Sequence, residues 1–114
     1  MVGTLANRSN CLSRKNNCFR IPNTADFLFM YSSFDGFYSF RDRNGSWFIQ
    51  ALCDELCKNA HEEINTILNR VKLTIAFKKE SCSVNLGLND LKQMPVVHST
   101  LTKSLIFKKQ NYEK

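Results

Sequence analysis

Apolar positions form distinct patterns along this chain, and each pattern predicts an element. Residues 27–31, Phe-Leu-Phe-Met-Tyr, are apolar at every position. Continuous hydrophobicity marks a strand covered on both faces, as in the middle of a parallel sheet. From Trp47 the apolar residues recur at 48, 49, 52, 53, 56, 57 and 60, with Asp54, Glu55 and Lys58 opposite them. That spacing predicts a helix with one buried face. Ser46 stands just ahead of it, where a hydroxyl can accept an orphan N–H of the first turn. Asn59-Ala-His61 interrupts the pattern. A second stripe follows at Ile64, Ile67, Leu68, Val71 and Ile75, and Glu62 and Glu63 suit the positive end of that helix. The run Met94-Pro-Val-Val-His-Ser-Thr100 reads as another strand, with Pro95 tolerated at its start or at an edge. Residues 105–107 form a short apolar closing segment.

The polar stretches separate these elements. Residues 1–17 lack apolar periodicity and read as a flexible basic tail, with Ile21-Pro22 marking where it stops. Ser33-Phe-Asp-Gly36 reads as a turn with Gly at its fourth position. Residues 78–93 form a polar loop, long enough that a functional role is expected. Residues 108–114 are a Lys-rich tail. Between the first strand and the first helix lies 36–50, with aromatics, Arg41, Arg43 and an Asn44-Gly-Ser46 turn. A loop pinned between two buried elements is well placed to hold a ligand. A guanidinium among aromatics points to a carboxylate, whose shape its planar fork matches.

Composition narrows the picture. A chain of 114 residues accommodates one domain and buries only about 60–65% of its unfolded surface. The 43% hydrophobic content, with 4 Gly and 2 Pro, excludes a disordered or repetitive chain. The net charge of +6 comes from scattered Lys and Arg, which favours a solvated basic surface over a nucleic-acid stripe. No apolar run approaches the ~18 residues of a membrane span, and the start has no hydrophobic signal core. It is basic and free of acids, as organelle transit peptides are, but shows little amphipathic pattern. The five Cys, at 11, 18, 53, 57 and 82, fit reduced thiols in a cytoplasmic protein. Cys53 and Cys57 fall on the predicted apolar helix face, where buried thiols are expected in preference to metal ligands. No phosphate loop or HExxH motif occurs, and neither His61 nor His98 has a cysteine beside it in sequence. The residues suggest recognition, not bond breaking, and no cofactor.

Several blocks of residues together resemble the small subunit of caspases, the aspartate-specific cysteine proteases of apoptosis and inflammation. Cys18-Phe-Arg-Ile-Pro22, Ala25-Asp-Phe-Leu28 and Tyr31-Ser32 are similar to that subunit's opening strand. Phe37-Tyr-Ser-Phe-Arg41 and Gly45-Ser-Trp-Phe-Ile-Gln50 are similar to its substrate loop and first helix. Lys92-Gln-Met-Pro95, Ser99 and Leu101-Thr-Lys103 are similar to its final strand. The resemblance spans 18–107. It implies an α/β half-domain of two main strands and two helices, completing a sheet with a large subunit.

The resemblance also implies site roles. Arg41 matches the arginine that holds the substrate aspartate, and Ser46 a serine near the same pocket. Tyr38 and Phe40 match aromatics walling the next pocket. Ser39 and Arg41 match residues whose backbone pairs with extended substrate. Trp47 and the 78–93 loop match walls of the fourth pocket. Asp42 replaces a residue that is often Asn and is expected to disfavour an acidic substrate residue there. Cys82 and Leu88 stand where executioner caspases tend to carry aromatics. Val97, His98 and Ser99 match the strand that meets a second small subunit across a two-fold axis. Two protonated His98 rings meeting there would repel; equally, His98 reads as a tolerated edge residue.

Two departures are visible. Three residues separate Arg41 from Gly45-Ser46, where the family usually has four. The family's catalytic His and its Gln-Ala-Cys-Arg-Gly motif are absent, and no acid precedes Asp26. The expectation is a truncated isoform, an incomplete gene model or a stand-alone small-subunit protein. Its partners would be a caspase large subunit, a second small subunit and Asp-containing peptides or proteins. As a recognition subunit it is non-catalytic alone; the other reading is a catalytically dead regulator that binds a caspase subunit.

Overall fold

The computed structural model describes residues 9–14, 17–82 and 86–108, with side chains described in 20–82 and 87–108. The order is β1 (Ser9–Arg14), β2 (Asn17–Pro22), β3 (Leu28–Tyr31), β4 (Arg41–Asp42), β5 (Gly45–Ser46), α1 (Trp47–Asn59), α2 (Ile64–Lys78), a 3₁₀ turn (Leu86–Leu88) and β6 (Val96–Ser99). The described strands form three antiparallel pairs, β1–β2, β3–β6 and β4–β5. This is an α/β fragment with small antiparallel sheets.

The helices match the periodicity closely. Ser46 caps α1 by accepting the N–H of Ile49 at 3.0 Å. Glu63 caps α2 by accepting that of Asn65 at 2.9 Å. All five stripe residues of α2 are buried, and Ile67, Val71 and Ile75 are fully so. Ala51, Val71 and Ile75 form the centre of the core, with Met30, Phe48 and Leu52 packed on it. Arg70 ties the helices together through hydrogen bonds to Glu62 and an ion pair with Glu55 at 3.7 Å. That contact lowers the carboxyl pKa of Glu62 and raises that of the Arg70 guanidinium.

The buried arc of α1 differs from expectation. Trp47 and Ala51 are buried, whereas Cys53 and Cys57 are exposed and Ile49 is 52% exposed. Apolar residues occupy most of this helix's circumference. At 100° per residue, 49, 53 and 57 lie across the axis from 47, 51 and 55. Periodicity identified the helix but could not choose the arc.

Other expectations also change. The segment read as a flexible tail is paired where it is described. The β1–β2 ladder runs in register from Ser9↔Pro22 to Arg14↔Asn17, so its backbone groups satisfy one another. The early turn lies one residue later: Phe37 N–H donates to Phe34 O at 3.1 Å, which puts Gly36, with φ of +81°, at the third position. That position of a type II turn demands positive φ. The closing segment 105–107 does not bury its side chains; Ile106 is 50% exposed and makes a single bridge to Glu63.

Among the described residues, β3 is covered on one face only. Its register with β6 pairs Leu28↔Ser99, Phe29↔His98, Met30↔Val97 and Tyr31↔Val96. Met30 turns to the helices. Phe27, Phe29 and Tyr31 lie on the other face, each about half exposed. Phe27 and Phe29 stack at 5.8 Å, and His98 meets Tyr31 edge-on at 5.6 Å.

Asp26 locks the entrance to this pair. Its φ of +62° is unusual for a residue other than glycine. Its Oδ1 accepts the N–H of Thr102 at 2.9 Å and the hydroxyl of Thr102 at 2.8 Å. The N–H of Thr102 is the main reason that its carboxyl pKa is lowered, helped by that hydroxyl and by Lys103. A lowered folded pKa contributes stability above the unfolded carboxyl value of about 4, and that contribution drains away as pH falls through the folded value. Asn tolerates the same φ without the charge. Asp26→Asn is therefore expected to be less stable than wild type at neutral pH and to converge on it in strong acid, where the Asp26 carboxyl is protonated in both states. Urea midpoints at both pH values check this; an equal gap at both refutes it.

Candidate recognition site

The site grows from the chain between β3 and α1. β3 ends at Tyr31, and a cluster of hydroxyls closes the loop that follows. Ser39 Oγ lies 2.6 Å from Ser32 Oγ and donates to Ser33 Oγ at 3.0 Å, while Ser33 Oγ donates to Phe37 O at 3.1 Å. Segment 38–41 is thereby brought back alongside the end of β3. Gln93, only 3% exposed, lies between the two: its Oε1 accepts the Phe40 N–H at 2.7 Å and its Nε2 donates to Ser32 O at 2.7 Å. Phe40 O in turn accepts the N–H of Trp47 at 3.1 Å. Both main-chain polar groups of Phe40 are thus held from inside the protein. Those of Ser39 engage no hydrogen bond among the described residues, and its residue is exposed.

An aromatic row accompanies this segment. Phe40 lies 5.0 Å from the buried Trp47 ring and 6.2 Å from Tyr38, which is 65% exposed. At its end Arg41 is exposed, and its guanidinium makes no hydrogen bond or ion pair among the described residues. An unpaired cation on a fixed backbone beside apolar rings suits a carboxylate from another molecule.

The loop after Arg41 closes as a hairpin with Arg43 and Asn44 at its tip. Arg41 faces Ser46 and Asp42 faces Gly45. Gly45 supplies a φ of +123°. Asp42 is structural here: its Oδ1 accepts the Asn44 N–H at 2.7 Å and the Gln50 amide at 3.1 Å, while Gln50 also donates to Gly45 O at 2.8 Å. The Asn44 N–H is the main cause of its lowered carboxyl pKa, with Gln50 and the charges of Lys79 and Arg43 adding to it.

Residues 78–82 and Leu88 pack opposite. With Phe40, Arg41, Asp42 and Trp47 they surround an open hollow of about 390 Å³, into whose wall Cys82 also falls. The buried Ser81 shapes the loop, donating to Leu88 O at 2.6 Å and accepting the Leu91 N–H at 2.8 Å. Arg41, Lys78 and Lys79 outnumber the acids Asp42 and Glu80 around this hollow. Sequence reasoning singled out the aromatics, Arg41, Ser46 and Asp42, but missed the roles of Gln93, Gln50 and Ser81. The one available signal was a lone amide, Gln93, ahead of a strand with no partner in its own segment.

Val97, His98 and Ser99 lie in β6, away from this hollow; His98 and Ser99 are exposed. His61 is exposed in the helix connection. Neither His61 nor His98 hydrogen-bonds a cysteine among the described residues.

A caspase domain model matches residues 2–106, nearly the whole chain. This chain belongs to the caspase domain family. It is 48% identical over 92 residues to Caspase-3 of Bos taurus, covering 79% of this chain and 34% of that protein. To Caspase-3 of Felis catus it is 47% identical over 92 residues, with 79% and 33% covered. To Caspase-7 of Gallus gallus it is 45% identical over 94 residues, with 81% and 30% covered. The chain thus spans about a third of the length of the curated relatives it matches. The family match includes β1 and β2. No helix among the described residues is long and apolar enough to cross a membrane.

Proposed function

We propose that this chain is the small, substrate-recognition subunit of an aspartate-specific cysteine endopeptidase of the caspase type, acting in apoptosis in the cytoplasm and non-catalytic by itself. The observation that carries the reading is Arg41: a guanidinium exposed and unpaired among the described residues, at the start of β4 and next to Phe40, whose main chain is fixed from inside. In this reading Arg41 grips the substrate's aspartate and the free main chain of Ser39 pairs with the extended peptide. Ser46 borders the same pocket, Tyr38 and Phe40 wall the next, and Trp47 and Asp42 bound the hollow beyond. The half-exposed aromatic face of β3 supports a large subunit that completes the sheet and brings the catalytic Cys and His. Val97, His98 and Ser99 are the contact with a second small subunit.

Co-expression with a caspase-3 large subunit tests the reading. The expected result is a co-purifying complex that cleaves peptides after Asp and not after Asn. If the complex instead forms and the partner's own activity is lost, the chain is a regulator. A chain that binds no large subunit sinks both.

A further inference from the structure

We propose that Gln93 is the positioning residue of the recognition strand, holding the main chain of Phe40 and, through it, Ser39 and Arg41 on either side. The proposal deepens the substrate-recognition reading of Arg41 and rests on it. Gln93 belongs to neither the aromatic row nor the hollow beside Arg41. It stands just before β6, two residues ahead of the fully buried Pro95. Its side chain spans two segments that, among the described residues, are otherwise joined by serine hydroxyls. On one side it meets a main-chain donor, Phe40 N–H, and on the other a main-chain acceptor, Ser32 O, each at 2.7 Å.

That demand selects the residue type. A primary amide offers an acceptor and a donor on two separate atoms at one tip, whereas a hydroxyl offers both on a single oxygen. A carboxylate would keep Phe40 but set an oxygen against the Ser32 carbonyl. Lys and Arg offer no acceptor, and Met offers neither group. The amide orientation is likewise fixed, since the flipped form would face N–H with NH₂ and carbonyl with carbonyl. The hydroxyl cluster cannot substitute for it. Its bonds run among Ser32, Ser33 and Ser39 hydroxyls and Phe37 O, and reach neither of the main-chain groups that Gln93 holds. Because Trp47 holds Phe40 O from the other side, loss of Gln93 frees one end of the residue and lets the strand pivot on the other. Arg41, next in the chain, would then be displaced from its carboxylate without being altered.

The test uses Gln93→Met, which keeps the volume and removes both hydrogen bonds, and Gln93→Glu, which keeps the acceptor for Phe40. In the full chain, amide hydrogen exchange at Phe40 is expected to speed up at least tenfold in Gln93→Met and to stay slow in Gln93→Glu. In the complex with a caspase-3 large subunit, KM for an Asp peptide is expected to rise roughly tenfold in Gln93→Met. The kcat should stay within about twofold, because the catalytic pair lies elsewhere. Gln93→Glu should fall between Gln93→Met and wild type. Unchanged Phe40 exchange in Gln93→Met overturns the proposal. So does unchanged KM with a lower fraction of active enzyme, the signature of a merely structural residue. If the wild-type complex cleaves nothing, the recognition reading fails by itself, and Phe40 exchange still decides whether Gln93 holds the strand.

Discussion

Replacing Arg41 by Ala is expected to remove most Asp-specific recognition from the complex with a large subunit. Truncating one partner of a hydrogen-bonded charge pair costs about 2–5 kcal/mol, roughly 30- to 4,000-fold in kcat/KM. The effect is large because two costs add. The attractive contact is lost, and the substrate carboxylate remains in its pocket without that partner. Arg41→Lys is expected to recover only part, since an ammonium keeps the charge but not the planar fork. Arg43→Ala is the control. Arg43 is exposed at the tip of the hairpin, so its loss removes the same charge two residues away and should leave kcat/KM within about twofold. Steady-state kinetics on paired Asp and Asn peptides check all three. Equal losses from Arg41→Ala and Arg43→Ala would mean that general positive charge, not a directed guanidinium, attracts the substrate.

The second large effect is on stability. Ile75→Ala is expected to cost about 2–5 kcal/mol, because Ile75 is fully buried against Ala51 and Val71 and neighbouring helices cannot collapse onto the void. For a chain with a core this small, that is a large share of the about 5–15 kcal/mol by which a typical domain is stable. Phe77→Ser, at a side chain 77% exposed on the same helix, should change stability by less than about 0.5 kcal/mol. Urea unfolding of the three chains measures the contrast. Similar midpoints for Ile75→Ala and wild type would mean that α1 and α2 are not packed as described.

Sequence legibility followed the range of the interactions. The stripe Ile64, Ile67, Leu68, Val71 and Ile75 was readable because helical burial repeats locally, and the Ser46 cap because its partner lies three residues away. Arg41 and its aromatic neighbours stood out because their chemistry is carried by the residues themselves. The arc of α1 was not readable, since both arcs are apolar and the choice belongs to α2. Nor was the β1–β2 hairpin, whose strands lack alternating hydrophobicity. The bonds of Gln93 to Ser32 and Phe40, 61 and 53 residues away, leave no local trace. The bonds of Asp42 were hidden for a related reason. The sequence shows an acid, but only the hairpin shows that its oxygen is already committed to Asn44 and Gln50.

The clamp between Asp26 and Thr102 joins residues 76 apart in sequence, and the order of events during synthesis follows from that distance. The α1–α2 pair relies on nearby residues and can form as soon as it leaves the ribosome. β3 emerges earlier but must wait for β6, with the whole helical hairpin and the 78–93 loop synthesised in between. For that interval its backbone edge and its row of Phe27, Phe29 and Tyr31 have no strand from their own chain, and unpaired apolar edges invite pairing with other molecules. Slowed translation of residues 79–95 would lengthen the interval, and the yield of soluble chain would fall with it.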